Sequence, residues 1–329
     1  MELYIGLLFL ALMLLLVVTY VYTKGRDQLY VRHKNLEGKT VIVTGAEKGK
    51  WFNTVLELAK RRGRIIMTCA DKTAGESARQ RIVKLTGNTN VVYRELDVSQ
   101  MSSVRAFVTS FKISEKKLDI LINNAEMCTR KRTVTKEGLE LIFATNFFGP
   151  YLLTTLLLDL LKKSHGRVVN VGSVLPASIE LDCENLRAEK GFHSQRFYQS
   201  KLALLMFTKE LARRTVDSGV AVTFVHSGLV QAELYTDISW VYLFLQSIIA
   251  GQCVKTPLEG ATSILFCALD DSVQTGGYYM DCRLYDQNVW VPKCAYDEGL
   301  ARKLWEISER LTASSDVIGQ LRERLSKGT

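Results

Sequence analysis

The stretch TVIVTGAEKGKW, residues 40–51, decides the fold. It opens as a β-branched apolar run of strand length. Gly45 and Gly49 follow, and behind them comes a segment of helical periodicity, Phe52 to Arg62. A buried strand, a glycine-bearing turn and a helix in that order form the first unit of a parallel α/β sheet.

Working outward, the same strand signature recurs in RIIMT (64–68), VVYREL (91–96), LDILIN (118–123), RVVNV (167–171) and VAVTFV (220–225). GGYYM (276–280) adds a last strand. Helical periodicity fills the gaps, as in Met101 to Phe111 and Ser194 to Val216. Alternating strand and helix implies right-handed crossovers. The expected fold is α/β: a single Rossmann-type, doubly wound parallel sheet with helices on both faces. No internal repeat or Pro-rich linker interrupts it, so residues 39–312 read as one domain, with 313–329 as a C-terminal tail.

Ahead of that domain, LYIGLLFLALMLLLVVTYVY (3–22) carries no charge and is long enough to cross a bilayer core. A cleaved signal peptide needs a basic lead and a shorter apolar core, whereas here Glu2 precedes a long run. Residues 1–23 therefore read as one N-terminal transmembrane helix, a retained signal-anchor. Residues 24–38 form a basic juxtamembrane linker whose Lys24, Arg26, Arg32 and Lys34 keep the following domain cytosolic.

Net charge is +9 with a sequence pI of about 9.1, which favours an anionic partner such as a nucleotide or a membrane surface. No tract interleaves basic with aromatic residues, so nucleic acid is not expected as a partner. Seven cysteines without a C-x-x-C pair argue against a disulfide framework. Neither they nor the four histidines have metal-ligand spacing, so no metal site is expected.

Further motifs appear in order along the chain: TGAEKGKW (44–51), LDVS (96–99), NNAE (123–126), FATNFFGPYLLT (143–154), RVVNVGS (167–173) and RFYQSKLALLMFTKELA (196–212). In this register the chain resembles the short-chain dehydrogenase/reductase family, and within it the membrane-bound retinol-dehydrogenase-like group. The resemblance implies NAD or NADP as cofactor, with Gly45 and Gly49 at its pyrophosphate, Asp97 at its adenine, and Asn123 and Lys201 among its contacts. It implies hydride exchange with a lipophilic alcohol, aldehyde or ketone. Ser173 would position the substrate oxygen, Lys201 would tune a tyrosine, and Asn146 would hold a water that links to Lys201. An endoplasmic reticulum membrane is implied too, and a homodimer is left open.

The departures from the family pattern cluster. Trp51 replaces a glycine of the turn, Glu126 replaces the glycine of N-N-A-G, and Ala70 stands where NADP-preferring members carry Arg. Glu47, Lys50, Gly172, Ser227 and Ala232 also differ. The family's Y-x-x-x-K spacing puts Phe197, not a tyrosine, four residues before Lys201. Tyr198, one position on, is rotated by about 100° around a helix axis. Two readings follow. In one, Tyr198 serves as the acid of an active oxidoreductase; in the other, favoured by the cluster, catalysis is impaired and the protein binds or scaffolds instead. The segment ISWVYLFLQSIIA (238–250) is expected as a helix over the substrate cleft.

Overall fold

The structure, a computed structural model, describes residues 34–47, 49–173, 175–193, 195–228, 255–285 and 291–313. The expected anchor at 1–23, most of the linker, the segment 238–250, Ala232 and nearly all of the tail lie outside the described residues.

Eight strands form one sheet: β1 (Thr40–Thr44), β2 (Arg64–Cys69), β3 (Val91–Glu95), β4 (Ile120–Asn123), β5 (Arg167–Gly172), β6 (Ala221–His226), β7 (Tyr278–Met280) and β8 (Arg283–Leu284). Their spatial order is β3-β2-β1-β4-β5-β6-β7-β8. All pairings are parallel except β7 with β8. The seven strands read from the sequence are all present. The short, exposed β8 went unread because two residues carry no periodicity.

Helices cover both faces. They are α1 (Gly49–Lys60), α2 (Lys72–Thr86), α3 (Met101–Ser114), α4 (Leu141–Ser164), α5 (Arg196–Arg214), α6 (Pro257–Leu269) and α7 (Glu298–Thr312). The pleat sends alternate strand residues to opposite sides. Val41 and Val43 pack with Val55 of α1, Ile82 of α2 and Ile264 of α6, while Ile42 packs with Val104 of α3, Leu153 of α4 and Leu202 of α5. Helix α4 is apolar enough to span a membrane, yet most of it is buried in the domain, so it is a core helix. Helix α7 lies across α4 and α5: the Trp305 ring sits 5.2 Å from Tyr151 and 5.7 Å from Phe207.

Strand order reverses between β1 and β4. Ligands of open α/β sheets bind in the crevice outside the C-terminal strand ends at such a point. Here that crevice is bounded by the turn after β1 and the loop after β4.

Candidate functional site

The two crevice walls are fastened together. Thr44 Oγ1 accepts from the backbone N–H groups of Asn124 (2.9 Å) and Ala125 (3.0 Å), and Asn124 Nδ2 donates to the Thr44 carbonyl at 3.0 Å. Gly45 has φ +61°, and a Cβ there would come within 2.7 Å of Ala125 Cα, so only glycine fits. Asp97 Oδ1 accepts from the Ser99 N–H (2.9 Å) and hydroxyl (2.7 Å), which closes the turn into α3. Gly49 opens α1.

Asn123 faces the core. Its amide donates to Thr154 (2.9 Å) and to Asn170 Oδ1 (2.7 Å), and Asn170 passes the chain on to Thr208 at 2.9 Å. This buried ladder joins β4, β5, α4 and α5, so the Asn123 side chain secures the sheet.

Asn146 sits in a π-helical turn, Ala144–Phe148, within α4. Such bulges re-aim side chains and recur at functional sites. The fully buried Asn146 amide accepts from Met127 N (2.7 Å) and donates to Met127 O (2.9 Å) and to Ser200 Oγ (3.0 Å). Ser200 in turn donates to the Phe197 carbonyl at 2.6 Å. One amide thus ties the loop after β4 to the first turn of α5.

Lys201 extends from α5 to that same loop. Its Nζ lies 2.8 Å from Glu126 Oε2 and donates to the Val171 carbonyl at 3.1 Å. The two side chains are 0% and 7% exposed, so this is a buried ion pair. The Phe197 ring centroid lies 5.6 Å from the ammonium, on the same helix face one turn earlier. Tyr198 is 37% exposed, its ring edge-on to Phe197 at 5.5 Å. Helix α5 begins in regular register, with Gln199 N donating to Gln195 O at 2.9 Å. The structure therefore brings Asn146, Lys201 and Phe197 together around Glu126 and leaves Tyr198 off that face. Ser173 is half-buried just after β5, where its carbonyl accepts from the Tyr278 hydroxyl at 3.5 Å.

A second buried pair sets the start of α5. Arg196 donates to the carbonyls of Asn185 (3.0 Å) and Leu186 (2.7 Å), approaches Glu140 Oε2 at 3.6 Å and stacks 4.2 Å from the Phe143 ring centroid. Burial pulls its pKa down, opposed by the Glu140 charge.

Carboxylates also colour the rest of the crevice. Burial pushes the Cys69 thiol up to about 12, with the nearby Glu47 charge adding to it. One oxygen of Glu47 is buried and lacks a hydrogen-bond partner among the described residues. The Cys128 thiol is raised by burial first and by Glu126 next, with Arg130 and Lys201 opposing. Ala70 is exposed and Ser227 buried. Sequence reading flagged Glu126 as a departure but missed its pairing with Lys201. The available signal was an acid placed just behind a buried strand, where its economical burial is against a cation.

A seven-strand parallel run with its polar groups gathered at the switch point defines a Rossmann-type domain. The chain belongs to the short chain dehydrogenase family, whose model matches residues 39–240. Retinol dehydrogenase 11 of Homo sapiens is 39% identical over 283 residues, covering 83% of this chain and 85% of that protein. Retinol dehydrogenase 12 of Homo sapiens is 39% identical over 277 residues, covering 83% and 86%. Among solved structures, an uncharacterised protein from Mycobacterium paratuberculosis superposes with a TM-score of 0.67 at 28% identity, covering 87% of this chain and 96% of that one. The chain is thus retinol-dehydrogenase-like within its family.

Proposed function

We propose that this chain is a membrane-anchored, retinol-dehydrogenase-like protein that holds a lipophilic ligand without carrying out hydride transfer. The carrying observation is the environment of Lys201. Nicotinamide-dependent exchange with an alcohol, aldehyde or ketone needs an acid beside the reacting oxygen. The helix position facing Lys201 is Phe197, which has no ionisable proton, and the ammonium is taken up by Glu126 at 2.8 Å.

The residues fit a dinucleotide only in part. The Gly45 turn and the N-terminus of α1 suit a pyrophosphate. The Lys201 end does not fit, because its ammonium already serves Glu126 and the Val171 carbonyl. No transfer step is therefore assigned to this chain. The names of the retinol dehydrogenase relatives favour a lipophilic ligand of the retinoid class. The uncharged span 3–22 and the basic residues behind it favour a single-pass anchor, in the endoplasmic reticulum by family likeness, with the domain in the cytosol.

The test is turnover of the purified full-length chain with all-trans-retinal and NADPH, and in reverse with retinol and NADP. No activity above background is expected from the wild type or from Phe197→Tyr alone. Phe197→Tyr combined with Glu126→Gly is expected to gain activity, because it returns a proton donor and frees the lysine. Wild-type turnover abolished by Tyr198→Phe would overturn the reading and identify Tyr198 as the acid.

A further inference from the structure

Glu126 is held from both sides. The residue before it, Ala125, is fixed by the Thr44 hydroxyl, and the residue after it, Met127, is bonded through both N–H and C=O to the Asn146 amide. Its carboxylate cannot leave with a loop motion unless those bonds break. Ala125 is also the residue against which Gly45 packs, so Glu126 emerges beside the phosphate turn of the crevice.

We propose that Glu126 excludes nicotinamide dinucleotides from this protein by holding Lys201 as an internal ion pair in the switch-point crevice. The proposal rests on the reading above but concerns binding, not turnover. A dinucleotide brings two phosphate charges into the crevice. In their vicinity Lys201 is neutralised by Glu126, and Glu47 adds a further carboxylate beside Cys69. A ligand that recruited Lys201 would draw a counter-charge 2.8 Å away from the Glu126 carboxylate, which is 7% exposed, and weakening a buried ion pair is costly. The Phe197 ring flanks the ammonium and offers the ligand no hydrogen bond in exchange.

The experiment is titration of the purified full-length chain with NADPH and with NADH, read by nicotinamide fluorescence and by equilibrium dialysis. Wild type is expected to show no saturable binding up to about 1 mM, and Glu126→Asp, which keeps the charge, the same. Glu126→Gly is expected to bind at least about tenfold more tightly, with Kd below about 100 μM. Glu126→Gln keeps a hydrogen-bonding side chain beside the lysine and carries the test should the glycine variant unfold. Turnover stays absent in both, because Phe197 remains. Micromolar binding by the wild type would overturn the proposal, and so would folded neutral variants that stay silent. Wild-type binding without turnover would defeat this inference alone, whereas wild-type turnover would defeat the proposed function itself.

Discussion

Arg196 decides which aromatic side chain faces Lys201. Its guanidinium is 2% exposed and is pegged to two carbonyls, a carboxylate and a ring. A one-residue slip of α5 that carried Tyr198 into the Phe197 position would pull this buried cation off all of them. Replacing Arg196 by Met should cost about 3–5 kcal/mol of unfolding free energy, because Glu140 stays buried without its counter-charge. Urea denaturation measures this, and a loss below about 1 kcal/mol would mean that the peg does not hold the register. At this scale the sequence was half legible. The Phe197–Lys201 spacing follows from helix periodicity and stands in the structure as read. The partners Glu126 and Glu140 lie far away in the chain, and no local pattern links them to α5. The side-chain ladder that Asn123 closes across two strands and two helices was likewise not legible, because Thr154, Asn170 and Thr208 lie far away in the chain.

Helix α4 shows what periodicity conveys and what it omits. The run FATNFFGPYLLT reads as helix, and it is one, but the π-helical turn at Ala144–Phe148 that aims Asn146 leaves no mark on the apolar spacing. Gly149 follows the turn directly, and Pro150 needs no N–H partner there. A Cβ on Gly149 would fall 2.0 Å from the Val98 carbonyl oxygen, a backbone atom that cannot rotate aside. Gly149→Ala should therefore destabilise the protein by about 1–3 kcal/mol, read by chemical denaturation. An unchanged midpoint would show that α4 can retreat from the strand ends at no cost. Glu137 adds a cross-element cap, accepting from the N–H groups of Met101 (2.6 Å) and Ser102 (2.7 Å) at the start of α3. Sequence rules look for a cap next to its helix and miss one supplied from a distant loop.

The parallel part of the sheet was legible because its inner strands are buried on both faces and read as continuous apolar runs, whereas the two exposed residues of β8 carry no such pattern. The placing of β4 beside β1, which creates the switch point, leaves no local mark in the sequence. At the level of the full chain, the uncharged span 3–22 makes a separate prediction. Full-length protein should remain in the membrane pellet after alkaline carbonate extraction, and a chain starting at residue 35 should be released; release of both would refute the anchor. The position of α7 has a consequence in time. Its Trp305 covers Tyr151 and Phe207, and the Arg214 guanidinium lies 4.1 Å from the indole centroid, yet this helix is made well after α5. At ribosomal speeds, roughly a hundred residues take on the order of ten seconds, an interval in which the nascent α4–α5 face stands uncovered. A nascent chain arrested before residue 298 is therefore expected to be captured by chaperones, and one arrested well beyond α7 to escape them.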